Sequence, residues 1–168
     1  MQQMSVYGVS FDLVGKQPIV LLKTMDGNRF LPIWIGHPEA AAILMKLQNA
    51  ATPRPITHDL VTDMLHRLEA RVIRVEVTEL RENTFYAQVV LVQDGGPEIE
   101  VDSRPSDAIA LAVRAEADIF VADDVIDESA IEFEGEEISD EALEKEVSKF
   151  RSFLENVTPD EFASGEEE

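Results

Sequence analysis

The chain has no cysteine among its 168 residues. That excludes disulfides, thiolate metal centres and cysteine nucleophiles, and leaves His, Asp, Glu, Ser, Thr and Tyr for any chemistry. No apolar run approaches the ~20 residues that cross a bilayer, and no basic stretch leads into an apolar one at the start. The expectation is a soluble, unexported, cytoplasmic protein with no membrane partner. Histidine is scarce, at three residues, too few for an all-imidazole metal site. The glycine-rich phosphate loop, the Gly-x-Ser-x-Gly elbow and the His-Glu-x-x-His motif are all missing, so no organic cofactor is expected.

Positive charge is also in short supply, with 14 Lys and Arg against 34 Asp and Glu, a net of -20. Such a chain is a poor counter-ion for phosphate backbones, which counts against nucleic-acid binding. The acidity is unevenly spread. Residues 1 to 122 hold 11 Lys+Arg against 16 Asp+Glu, whereas residues 123 to 168 hold 3 against 18. The last quarter therefore reads as an appended acidic segment, and the simplest partition is a domain over 1–130 followed by an acidic helical extension and disordered tail over 131–168.

What is present is a strand-rich chain with helices between the strands. Alternation over Val6 to Leu13 predicts a half-buried strand, and Pro18 to Met25, Asp26-Gly27-Asn28 and Arg29 to Ile35 predict a hairpin. Pro38, with Ala40, Ile43, Leu44 and Leu47 at helical spacing, predicts a helix over 38–49. Thr57 reads as the N-cap of a second helix, with Leu60, Val61, Met64, Leu65 and Leu68 as its apolar stripe. Two antiparallel strands turning near Glu82-Asn83-Thr84 follow, then Gly95-Gly96 and a third strand to Asp102. An almost wholly apolar helix over 105–116 and a short buried strand over 119–122 come next. Asp123 to Glu137 reads as loosely ordered. Ser139 opens a last helix whose Leu143, Val147, Phe150 and Leu154 form an apolar seam. The fold class expected is α+β, a mixed and largely antiparallel sheet with helices packed on it.

The chemistry-bearing residues gather at helix starts, where orphan N–H groups favour anions. Arg54-Pro55-Ile56-Thr57-His58-Asp59 precedes one helix and Arg104-Pro105-Ser106-Asp107 another. An arginine fork suits a phosphate oxygen and a carboxylate suits a metal or a water, so Arg54, His58, Asp59, Arg104 and Asp107 are the candidate site. The plainer alternative for Arg104 and Asp107 is a structural ion pair pinning a buried helix. Asp59, Asp63 and His66 fall at i, i+4 and i+7, on one face opposite the apolar stripe. The two carboxylates and the imidazole of that face could hold Mg²⁺ or Mn²⁺, or be merely solvated, and Asp107 beside Arg104 is a separate candidate, so the metal ligands expected are Asp59, Asp63 and Asp107. Trp34 and Phe30 read as core, and His37 as a turn residue beside Glu39.

Leu31-Pro32-Ile33-Trp34-Ile35-Gly36, the two Arg-Pro phrases, Thr84-Phe85-Tyr86-Ala87 and Asp107-Ala108-Ile109-Ala110-Leu111-Ala112 together resemble the bifunctional nuclease domain family over about residues 4 to 130. That family comprises small bacterial proteins and some plant proteins. The resemblance implies an α+β fold, homo-oligomers, and hydrolysis of phosphodiester bonds in RNA, DNA or both with low sequence specificity. The residue chemistry adds assistance by a divalent metal. The acidic tail then acts as an electrostatic gate. The competing expectation is a non-enzymatic oligomeric regulatory module whose acidic tail binds a basic protein partner and whose Arg-Pro-Ser-Asp cluster is structural.

Overall fold

A computed structural model describes residues 1–11 and 17–132 of the chain. Strand β1 (Gln2–Phe11) pairs antiparallel with β2 (Pro18–Thr24), which forms the expected hairpin with β3 (Arg29–Trp34). Helices α1 (His37–Leu47) and α2 (Thr57–Arg67) follow. A meander comes next, of β4 (Ala70–Arg81), β5 (Thr84–Gln93) and β6 (Glu98–Ser103). Its first turn places Glu82 and Asn83 at φ 50° and 57°, the left-handed pair that a two-residue hairpin loop requires. Asp94 and Gly95, at φ 42° and 71°, form a second left-handed pair inside the longer, four-residue connection to β6. Helix α3 (Pro105–Ala115), strand β7 (Asp118–Val121), helix α4 (Asp123–Ser129) and the two-residue β8 (Ile131–Glu132) complete the described chain.

One sheet holds all eight strands in the order β6-β5-β4-β7-β1-β2-β3-β8, antiparallel except for the β4–β7 pair. The last full strand made, β7, thus fills the centre and joins the two meanders. One cross-sheet row shows the logic. Val101, Val89, Val75, Ile119 and Met4 are successive partners from β6 to β1, so they share a face. All but Val101 are buried: α3 packs over β4, β5 and β7, whereas Val101 lies on the edge strand β6. On the opposite face Arg74 donates both terminal nitrogens to Glu98 at 2.8 Å and its Nε to Glu76 at 2.6 Å, tying edge strand β6 back to β4.

Helix α3 is buried along most of its length, with Ile109 and Ala108 fully so. Pro105 at its first turn keeps Arg104 extended, at φ −68° and ψ 144°, and starts the helix sharply. A helix anchored through Ile109, where truncation to alanine would cost ~2–5 kcal/mol, holds its first turn still. That first turn carries Asp107.

Four expectations change. The apolar stripe of α2 divides: Val61 and Leu65 pack on the core, whereas Leu60, Met64 and Leu68 are exposed. Thr57 is the first helical residue and not the cap, and the free Ile56 N–H is satisfied by Asp59 Oδ2 at 3.1 Å. Asp123 to Glu132 is ordered as α4 and β8, because Val125 and Ile126 plug into the core and Arg29 on β3 holds Asp127 at 2.8 Å. The sheet therefore runs two residues past 130. His37 lies inside α1. Phe30 is buried, and Trp34 rests half-buried with Ile19, Leu21 and Ile131 on the face away from the main core. The end of the first predicted strand at Asp12 and Leu13, the helix from Ser139 and the terminal tail lie outside the described residues. No helix among the described residues is long and apolar enough to cross a membrane.

Candidate functional site

Three helix starts send charged side chains to one place. Glu39 lies in the first turn of α1, His58 in that of α2 and Asp107 in that of α3, with Arg104 immediately before α3. Arg104 donates its Nε to Asp107 Oδ2 at 2.7 Å and a terminal nitrogen to Glu39 Oε1 at 2.8 Å. The other oxygen of Asp107 lies 2.9 Å from His58 Nε2. The two Arg-Pro phrases thus meet through an imidazole–carboxylate contact.

The electrostatics follow from that geometry. Burial alone would raise the Asp107 carboxyl, but the hydrogen bonds from Arg104 and His58 outweigh it and hold the group below its ordinary value of 3.8. An ionised carboxylate only accepts, so the proton between the two belongs on His58 Nε2, which leaves Nδ1 as the basic nitrogen. Hydrogen bonds to Asp107 and Glu39 push the Arg104 guanidinium further up. His58 and Glu39 are largely covered, at 12% and 15% side-chain exposure, while Arg104 is 66% exposed. The array therefore presents its guanidinium to solvent and keeps the groups that orient it beneath.

Gly36 explains how Glu39 reaches Arg104. Its φ of −75° suits any residue, but a Cβ there would collide with Glu39 Oε2. The glycine is needed for space.

Asp59 goes elsewhere. Its Oδ1 accepts from Arg114 Nε at 2.6 Å, and Arg114, only 6% exposed, also donates to the carbonyls of Ala110 at 2.9 Å and Ala42 at 3.1 Å. One buried guanidinium thereby ties α1, α2 and α3 together. Asp59 accordingly faces inward, against the expectation that it shares an outer face with Asp63 and His66. Burial would raise its carboxyl, yet Arg114 and the Ile56 N–H hold it low. Asp63 and Arg54 are exposed, and no ion pair engages either among the described residues. Of the five expected site residues, His58, Arg104 and Asp107 come together, Asp59 serves the neighbouring clamp, and Arg54 lies exposed two residues before the α2 cap.

The expected metal ligands do not converge either. Asp59 and Asp107 each commit both oxygens to protein donors. Among the described residues no group of three His, Asp or Glu could hold a metal ion. This donor set does not fit a divalent cation. A cavity of about 430 Å³ lies toward the far ends of α2 and α3, lined by Thr62, Leu65, His66, Arg71, Ala115 and Glu116 among others, away from the charged array.

Glu39 and Arg114 escaped the sequence reading, though Arg114 carried a signal. A basic residue on a helix that is apolar nearly all round must find a partner inside.

A sequence model of the bifunctional nuclease domain matches residues 20–134. The chain belongs to the bifunctional nuclease domain family. Glu39, His58, Arg104, Asp107 and the Asp59–Arg114 clamp all fall within that matched segment. An uncharacterized protein of Mycobacterium tuberculosis (strain H37Rv) is 38% identical over 165 residues, 96% of this chain and 98% of that protein. The bifunctional nuclease domain also relates the chain to Bifunctional nuclease 1 of Oryza sativa subsp. japonica, 33% identical over 105 residues, 61% of this chain and 32% of that protein. Bifunctional nuclease 1 of Arabidopsis thaliana is 31% identical over 107 residues, 62% of this chain and 33% of that protein. The chain thus spans about a third of these plant bifunctional nucleases.

Proposed function

We propose that the chain is a nuclease that hydrolyses phosphodiester bonds in RNA, DNA or both, with the Glu39–Arg104–Asp107–His58 array as its working site. The observation that carries the reading is an imidazole held by an ionised carboxylate beside an exposed guanidinium, at the convergence of three helix starts. Family membership and the names of the plant relatives support the substrate class.

In this reading His58 Nδ1 accepts the proton of the attacking hydroxyl, either a ribose 2′-OH or a water. The new P–O bond forms as the bond to the leaving oxygen breaks, and that oxygen takes its proton from solvent. Asp107 fixes the imidazole tautomer and stabilises the imidazolium. Arg104, whose other terminal nitrogen has no partner among the described residues, and Arg54, which has no ion pair among them, neutralise charge on the phosphoryl oxygens. A divalent ion would need carboxylate oxygens that Asp59 and Asp107 have already committed, so no step passes through one. The acidic surface limits affinity, and low salt should favour encounter through the two arginines.

Cleavage of end-labelled RNA and DNA oligonucleotides by the purified chain, beside a folded Arg104→Ala variant, tests the reading. Cleavage that the variant loses supports it, and cleavage of equal rate in both assigns the activity to a contaminant. A second reading, a non-enzymatic oligomeric module with an acidic tail for a basic partner, is favoured by the net charge of -20 and by Ile99 and Val101 left exposed on edge strand β6.

A further inference from the structure

Leu60, Met64 and Leu68 are 52%, 54% and 60% exposed. They stand at i, i+4 and i+8 along α2 and its C-terminal cap, so they form one stripe on the outer side of the helix, while Val61 and Leu65 make its inner contacts. Single exposed leucines are ordinary. Three large apolar side chains in line over roughly 12 Å of helix make a contact surface.

We propose that this stripe seats the chain's own segment 143–154, which lies outside the described residues. Leu143, Val147, Phe150 and Leu154 recur at spacings of 4, 3 and 4, and as a helix they present a seam roughly 16 Å long, the right length to lie along the stripe. The reach is sufficient. The described chain ends in β8, five strand spacings or roughly 24 Å from β4, on which α2 rests. Residues 133 to 142 span up to roughly 33 Å when extended. The tether also decides between occupants, because a short linker holds the seam at an effective concentration near ~1 mM, far above that of a second copy at micromolar concentration. Charge agrees with this seating. Arg54 and Arg67 flank the stripe without an ion pair among the described residues; the seam itself carries 2 Glu against 3 Lys and Arg, but the stretches on either side of it, 133–142 and 155–168, carry 11 Asp and Glu and no Lys or Arg. The inference is independent of the nuclease reading.

The absence of native cysteine makes the test clean. In the full-length chain Met64→Cys is combined with Phe150→Cys, and in a second variant with Val147→Cys, so that one shift of register does not hide the contact. Mild oxidation should give an intramolecular disulfide, read as a faster-migrating monomer on a non-reducing gel and located by mass spectrometry. It should form about tenfold faster than in a control pairing Met64→Cys with Ser152→Cys, on the opposite side of the predicted helix. Equal rates in seam and control pairs would overturn the proposal, and a covalent dimer in place of the monomeric product would assign the stripe to a second copy. As a check free of engineered thiols, Phe150→Asp should speed hydrogen exchange of the α2 amides several-fold, and unchanged exchange would contradict the seating.

Discussion

His58 Nε2 lies 2.9 Å from Asp107 Oδ1 although 49 residues separate the two in sequence. That contact joins the starts of α2 and α3, and it converts two short phrases into one site. Replacing Asp107 with Asn keeps its shape but removes the anion that fixes the imidazole. If His58 works as a base, Asp107→Asn should lower kcat by about 10²-fold or more with KM little changed. Steady-state cleavage of a short oligonucleotide measures the split, and an unchanged kcat would remove Asp107 from the mechanism.

The neighbouring pair has a structural task, and stability should report it. Asp59→Asn leaves the Arg114 guanidinium, 6% exposed, without its counter-charge, and should cost about 3 kcal/mol in urea unfolding. Asp63→Asn, on the exposed side of the same helix, should stay within about 0.5 kcal/mol of the parent. Equal effects of the two would refute the clamp.

Acid should act on the same groups with a definite sign. The Asp59 and Asp107 carboxyls are held below their ordinary 3.8 in the folded chain. The unfolded chain therefore takes up their protons first as pH falls. Their contribution to stability is fully present above about pH 4 to 5 and is lost as pH drops through the lower folded values. Thermal midpoints should accordingly show a shallower acid loss below about pH 4 in Asp59→Asn than in the parent. A parallel loss in both would show that the clamp does not titrate as described.

Gly36→Ala probes the support of Arg104 from the other side. The backbone accepts alanine, so the only conflict is with the Glu39 carboxylate, the far end of a flexible side chain. The fold should lose less than about 1 kcal/mol. Substrate affinity should weaken as Glu39 leaves the guanidinium, visible as a raised KM while the thermal midpoint falls by no more than about 4 °C. An unaltered KM would mean that Glu39 does not position Arg104.

The strands were legible wherever the pattern was local. Turn residues mark both meanders: Asp26-Gly27-Asn28 sits between β2 and β3, and Gly95 occupies the left-handed position before β6. The buried helix α3 was equally plain, since an amphipathic surface helix would have shown a polar side. Non-local relations were not legible. Nothing in Asp118–Val121 announces that this short strand lies between β4 and β1, because its place depends on pairing with chain more than 40 residues away. α4 was hidden by its acidity, although Val125 and Ile126 are the residues that order it. For the proposed site, the two Arg-Pro phrases bring His58, Arg104 and Asp107 together in the fold, whereas Asp59 pairs with Arg114. A carboxylate in a helix's first turn reads the same whether it faces water, a metal or a buried arginine on another helix. Leu60, Met64 and Leu68 were misread for a related reason, since periodicity gives the apolar positions without saying which neighbour they meet.

In the proposed mechanism His58, held by Asp107 beneath an exposed Arg104, moves the proton when a phosphodiester bond is cut. The most direct measurement is single-turnover cleavage of one RNA and one DNA oligonucleotide by the parent chain and by His58→Ala, each confirmed folded by its thermal midpoint, across a pH series. A loss of at least about 10²-fold is expected in His58→Ala, together with disappearance of the acid-side fall in rate that a general base imposes on the parent. A folded His58→Ala variant that cleaves at the parent's rate would contradict it.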